Sequence, residues 1–185
     1  MKTQFHSRRG GFTLIEMLAV ITIIVVLAGL VVGSIGFVND KKARSLAEVQ
    51  IGLLANALEE YKVDNGEFPV GANAMPGDSN YLYRALYWDT DNDGQTVGAD
   101  DDQKIYVQEL DPKNNKQGWT QGERANVRIL DPWGKEYYFR SGKMSGGGNN
   151  PDARNPDFDL WSAGPDGKTS TSGDTKDTKD DIKVK

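Results

Sequence analysis

The sequence predicts an α+β protein in which one long N-terminal α-helix packs, through its second half, on a small antiparallel β-sheet. Three observations predict it. Met17 to Val38 carry no charge for 22 residues, which at 1.5 Å per residue covers about 33 Å and matches a hydrocarbon core of ~30 Å. From Asn39 to Tyr61 apolar residues recur at three- and four-residue steps, the period of a helix with one buried face. After residue 67 the apolar runs are short and are punctuated by Gly, Pro, Asn and Asp, as strands joined by turns are.

The elements follow in order. A short basic leader holds Lys2, Arg8 and Arg9 and ends in Gly10-Gly11. A secretory signal places its small-residue site after the apolar region, whereas here the small pair precedes it. Basic residues also follow the apolar segment, at Lys41, Lys42 and Arg44, so the positive-inside comparison is close to a tie. Glu16 lies near the start of this segment, where a carboxylate in lipid demands a partner. Ala43, Leu46, Ala47, Leu54, Ala57, Leu58 and Tyr61 mark the packing face of the helix's second half. Asn65-Gly66 is its stop, with Pro69 beyond.

Ser79 to Tyr87 reads as a short helix with a Ser or Asp cap. The aromatics here and Trp88, Trp119, Trp133 and Trp161 suit core packing. "NVRILDPWGKEYYF" reads as a hairpin whose turn, Asp131-Pro132-Trp133-Gly134, has Pro second and Gly fourth, as a type I turn prefers. Gly142 to Asn150 reads as a flexible loop and not a phosphate cradle, since no Gly-Lys-Ser/Thr ending accompanies it. "FDLWSAGPDG" supplies a third strand and a turn. No internal repeat is evident.

Composition excludes several function classes. The 185 residues are 37% apolar, enough for one modest core. There is no Cys, and the only His is His6, so thiolate and histidine metal sites, disulfides and nucleophile-base pairs find no residues. The net charge of −5 argues against nucleic acid as a partner. The acid is concentrated: six Asp fall between Asp89 and Asp102, and five between Asp166 and Asp181, a pattern that suits a hard cation or plain solvation. In "DTDNDGQTVGAD", Asp89, Asp91, Asp93, Gly94 and Asp100 occupy positions one, three, five, six and twelve of an EF-hand-like loop. Position twelve is Asp where a bidentate Glu is usual, and Thr96 stands where an apolar residue is usual.

"GGFTLIEMLAV", from Gly10 to Val20, resembles the class III signal of the type IV pilin-like family. That resemblance implies a pilin-like fold and cleavage between Gly11 and Phe12 by a prepilin peptidase, which methylates the new N-terminus. It also implies a leader on the cytoplasmic side, a single-pass helix in the bacterial inner membrane and a domain in the periplasm. Cleavage creates an ammonium at Phe12, and Glu16 lies about 6 Å farther along the helix axis. Pairing within one helix and pairing between staggered subunits both reach it, and the family favours the second as a register device for a homopolymer. Many relatives carry a proline within the apolar segment where this chain has Gly33.

"DPWGKEYY", "NPDFDLWSAGPDG" and the closing "DDI" are similar to the major pseudopilin of type II secretion systems. Residues 71–121 match it loosely and read as an insertion. The resemblance implies four parts: a leader (1–11), a transmembrane and assembly helix (12–38), an amphipathic spine (39–66) and a globular domain (67–185). The domain carries the acidic insertion 89–102 and a C-terminal loop, 163–185. It further implies minor pseudopilins and an inner-membrane assembly platform as partners, and calcium in the C-terminal loop. The ligands would be the carbonyl of Ala163 and the carboxylates of Asp166 and Asp174, with Asp177 or Asp181 in addition. Asp89, Asp91, Asp93 and Asp100 form the competing site. The expected function is that of a non-enzymatic filament subunit supporting protein export across the outer membrane. The alternatives are a type IV pilus subunit for adhesion, motility or DNA uptake, and an anchored extracytoplasmic module that binds its ligand through calcium.

Overall fold

The computed structural model describes residues 11–70, 78–88, 104–115, 117–170 and 176–184, with side chains for all of these except 31–37, 125 and 176. The acidic insertion 89–102 and Asp174 therefore lie outside the described residues. The chain divides into two units between Asp40 and Lys41. Helix α1, Leu14–Asn65, is 52 residues long and runs through both, in agreement with the predicted helix of about fifty.

In the first unit α1 is apolar and exposed, with Leu14 83% and Ile15 74% accessible and the described Val, Ile and Leu chains to Leu30 open as well. Thr22 does not break the pattern, because its hydroxyl donates to the Leu18 carbonyl at 2.8 Å and satisfies itself on its own helix. Among the described residues no helix is long and apolar enough to cross a membrane. The side chains of 31–37, inside the predicted span, are outside that description.

In the second unit Ala47, Ile51, Leu54, Ala57, Leu58 and Tyr61 are buried, at the helical spacing that sequence patterning marks. Ala43 and Leu46, expected on that face, are half-buried. Gln50, which no apolar pattern marks, is 1% exposed and accepts from the Tyr137 hydroxyl at 2.6 Å. The helix ends as expected. Gly66 takes φ +82 and its N–H donates to the Lys62 carbonyl at 2.8 Å, a conformation that costs a residue without a Cβ least.

The predicted short helix divides in two: α2, Ser79–Tyr83, followed by a π-helical turn, Arg84–Trp88. Asp78 occupies the cap position without a side-chain cap bond. The Ser79 hydroxyl works at longer range, donating to Glu136 Oε2 at 3.1 Å and accepting from the Ile129 amide at 3.2 Å. These bonds tie α2 to the strands.

Among the described residues the antiparallel strands fall into two small sheets. Strands β1 (Thr120–Gln121) and β2 (Arg128–Ile129) pair antiparallel, with Thr120 opposite Ile129. Strands β3 (Tyr138–Ser141), β4 (Phe158–Ser162) and β5 (Ile182–Lys183) form the second antiparallel sheet in that order. The Asp131-to-Gly134 turn is present, with Gly134 N–H donating to the Asp131 carbonyl at 2.9 Å. The hairpin beyond it is held by the Leu130–Glu136 bridge, with the Asp131 N–H donating to the Lys135 carbonyl at 2.7 Å and the Tyr137 N–H to the Ile129 carbonyl at 3.0 Å. Past Tyr137 the chain turns to the other sheet, where β3 pairs β4 from Tyr138 opposite Trp161 to Ser141 opposite Phe158.

The segment read as a flexible loop is a hydrogen-bonded turn. Lys143 bridges Asn149, Met144 N–H donates to the Gly148 carbonyl at 2.8 Å, and Gly146 and Gly147 supply φ of +116 and +89. At the base of this turn Gly142 is required by space, since a Cβ there runs into the Pro156 carbonyl.

Candidate functional site

Two clusters correspond to the sites predicted from sequence, and the first is the start of α1. Gly11, Phe12 and Thr13 precede the helix in exposed chain without regular secondary structure, with Phe12 78% accessible. Glu16 is in the first turn of α1. Its Oε2 accepts from the Thr13 amide and the Thr13 hydroxyl, both at 2.8 Å, and its own amide donates to the Thr13 hydroxyl at 3.3 Å. This is a capping box, in which a Thr and a Glu three residues on satisfy each other's orphan amides. Thr13 was not singled out in advance, although Thr-Leu-Ile-Glu ahead of an apolar run carries the signal. Both bonds use Oε2, which leaves Glu16 Oε1 without a hydrogen bond among the described residues.

Gly11 belongs to the same cluster for another reason. Its φ is not positive, and nothing lies within 4 Å of where its Cβ would be. The chain's own packing does not demand glycine there.

The second cluster is the loop from Ala163 to β5. It begins at a buried anchor, Asp131, which is 3% exposed. Asp131 Oδ1 accepts from the amides of Trp133 and Lys135 at 3.0 and 2.9 Å, and Oδ2 accepts from the Ser162 hydroxyl at 2.6 Å. Ser162 in turn accepts from the Gly164 amide at 3.0 Å. Burial raises the Asp131 carboxyl above its ordinary value, while these donors pull the other way. Sequence reasoning took Asp131 only as a turn residue, because nothing local in the chain announces a partner 31 residues away.

Beyond the anchor, Gly164 (φ +68) lies so close to Asp180 that a Cβ would sit 2.6 Å from its carbonyl oxygen. The carbonyl-bearing Ala163 is fully buried. Asp166 closes its own turn, with Oδ1 accepting from the Lys168 amide at 2.8 Å. Asp181 Oδ2 accepts from the Thr169 hydroxyl at 2.8 Å, and Oδ1 is buried with no hydrogen-bond partner among the described residues. Burial raises the Asp181 carboxyl, with the Thr169 bond opposing it. Asp177 lies in the 3₁₀ turn Lys176–Thr178 and is exposed.

A buried carboxylate oxygen with no donor is chemically suited to a hard cation, so the oxygen set of this loop fits calcium in kind. Among the described residues no three acidic or histidine side chains converge as a complete metal cage. Asp174 and the competing Asp89, Asp91, Asp93 and Asp100 are outside the described residues.

Comparison with known proteins places the chain in a family. Residues 6–32 match the prokaryotic N-terminal methylation motif, and residues 101–181 match the family described as type II secretion system (T2SS), protein G. Three relatives carry the name type II secretion system core protein G. The protein of Escherichia coli (strain K12) is 31% identical over 171 residues, covering 91% of this chain and 90% of the relative. That of Pseudomonas aeruginosa is 29% identical over 172 residues, 93% and 94% of the two chains. That of Pectobacterium carotovorum subsp. carotovorum is 30% identical over 173 residues, 92% and 85%. With the long helix, the antiparallel strands and the motif at its start, the chain belongs to the core protein G family of type II secretion systems, the major pseudopilins.

Proposed function

We propose that this protein is a structural subunit of a type II secretion pseudopilus, cut between Gly11 and Phe12 and polymerised through α1 to support protein export. The observation that carries the reading is the exposed apolar helix of the first unit, with its capped carboxylate at Glu16. Burying each large aliphatic chain of that helix is worth about 1.5–3 kcal/mol, so lipid first and neighbouring subunits afterwards are its natural surroundings. The protein then sits in the bacterial inner membrane as a single-pass precursor, with its domain in the periplasm. Minor pseudopilins and the assembly platform are its further partners.

The chemistry follows from the start of α1. A prepilin peptidase needs an accessible scissile bond, and the chain from Gly11 to Thr13 is exposed and outside the helix. Glycine at position 11 answers to the peptidase, since the fold itself leaves room for a side chain there. Hydrolysis leaves an ammonium on Phe12, which the same enzyme methylates. Glu16 then has two tasks. Oε2 keeps the first turn capped through Thr13, while Oε1 accepts the Phe12 ammonium of a neighbouring subunit. Two charges that are costly in an apolar bundle thereby neutralise each other and fix the stagger. We assign no catalysis to the chain, because the polar clusters of its described residues serve caps, turns and strand ends.

Calcium is part of this proposal. The Ala163 carbonyl, Asp166, Asp174 and Asp181, with Asp177 beside them, would hold it. Asp181 supports the assignment through its buried partnerless oxygen. When bound, the ion supplies positive charge that closes the loop where no disulfide exists.

Intact-mass measurement of membrane-extracted protein tests the processing. A mature chain beginning at Phe12 and carrying one added methyl group is expected in peptidase-positive cells. Retention of Met1 to Gly11 in those cells would overturn the assignment.

A further inference from the structure

A cavity of about 750 Å³ lies beside the π-helical turn Arg84–Trp88 and takes no part in the clusters above. Ligand pockets run from about 300 to 1,000 Å³, so the size suits a small molecule.

Its wall is aromatic because of the turn. An α-helix would swing residue i+5 away from residue i, whereas the wider π-helical turn brings i+4 and i+5 over the same ring. Tyr83 accordingly stacks on Tyr87 at 5.5 Å and 30°, and on Trp88 at 6.2 Å and 29° between centroids and planes. Such turns are infrequent and concentrate at functional sites.

Two further features are hard to explain as packing. Tyr83 is fully buried, lines the cavity, and its hydroxyl has no hydrogen-bond partner among the described residues. A buried unsatisfied hydroxyl destabilises a fold unless a ligand or water completes it. Burial also pushes the Tyr83 phenol up, so it remains a neutral donor. On the rim, Arg124 adopts φ +54, a left-handed conformation that side chains other than Gly, Asn and Asp avoid. Strain of that kind concentrates at binding sites.

The charge of the lining sets the ligand class. Asp111 and Glu123 are balanced by Lys113 and Arg124, so the cavity does not select a polyanion. Flat apolar ring faces beside a rim of mixed donors and acceptors suit a molecule with one C–H face and an edge of hydroxyls, each able to donate and to accept. We propose that the cavity formed by Tyr83, Tyr87 and Trp88 with Asp111, Lys113 and Arg124 binds a neutral saccharide. Stacking on the aromatic wall gives contact area, and the Tyr83 hydroxyl gains its missing partner.

The test uses the full-length chain in a zwitterionic detergent free of sugar, titrated with maltotriose and separately with triacetylchitotriose. Heat and tryptophan fluorescence are the readouts. Saturable binding of at least one trisaccharide is expected. Tyr83→Phe should weaken it about 2- to 10-fold, the range of one hydrogen bond, without lowering the melting temperature. Arg124→Gly should weaken it as well while leaving the fold at least as stable, because glycine accepts the positive φ. If neither sugar binds, or if both variants bind at full strength, the proposal is wrong. Binding of adenosine monophosphate in place of the sugars would reassign the cavity to a planar anion and overturn it equally.

Discussion

The two units of this chain handle an apolar helix face in opposite ways. From Lys41 on, the face of α1 that holds Ala47, Leu54 and Leu58 is covered by the chain's own strands and turns, and those residues are fully buried. Before Asp40, the described apolar side chains lie open. The second unit is therefore stabilised by contacts it already has, and the first acts through contacts it has yet to make. A substitution in one should register as stability, and in the other as assembly.

The largest expected effect breaks that comparison at Glu16. Glu16→Ala removes both the cap and the charge, and filaments should fall below detection while the second unit melts as before. Glu16→Gln separates the two tasks, because Gln completes a capping box as Glu does but carries no charge. It should fail to assemble as Ala does. Normal filament yield from Glu16→Gln would show that helix capping, and not charge pairing, is what assembly requires.

Asp131 is the counterpart in the second unit. Asp131→Ala strands the Trp133 and Lys135 amides and the Ser162 hydroxyl, and should destabilise by about 3 kcal/mol. In a chain of this size that is roughly 6–12 °C in melting temperature. Processing at Gly11 should be unaffected, which mass measurement on the same sample checks. The pH sense is set by burial, which raises the carboxyl in the folded state. The stability carried by that shift is present below the unfolded value and lost as pH rises through the folded one, so Asp131→Asn should flatten this part of the pH profile.

How far sequence reached follows the same division. The helix of the first unit was legible because its information is local, an uncharged run that begins just after Glu16, although its cap at Thr13 was not read from it. The spine and the Asp131-to-Gly134 turn were legible for the same reason, through period and turn chemistry. What escaped depended on distant partners. Gln50 reads as a surface residue until Tyr137 is seen against it. β2 and β3 read as one continuous hairpin until β4 is seen to pair β3 from Tyr138 on, in a second sheet. The Arg84–Trp88 turn has helical composition, and only packing widens it.

Calcium sharpens the comparison, since it should act on the second unit alone. Binding to the folded chain at one hundred times Kd adds about 2.7 kcal/mol of stability, and Asp181→Ala and Asp166→Ala should each abolish that gain. Protons compete for Asp181, whose carboxyl burial raises. The gain should therefore fade, as pH falls, sooner than an ordinary carboxylate would predict. Retention of the whole calcium shift in both variants, with its loss in Asp91→Ala, would move the ion to the inserted Asp loop.

The smallest effect is at Gly52, on the exposed side of α1 in the second unit, where nothing lies within 4 Å of an added Cβ. Its φ is not positive, so alanine fits, and glycine there costs the helix about 1 kcal/mol. Gly52→Ala should raise the melting temperature by about 2–4 °C. Gly29 in the first unit is equally open, yet Gly29→Ala should leave that melting unchanged, since Gly29 belongs to the other unit. The pair thus tests the division with one chemical change made twice. Equal shifts from both substitutions would mean that α1 melts as a single cooperative element, and the separation of stability from assembly would have to be abandoned.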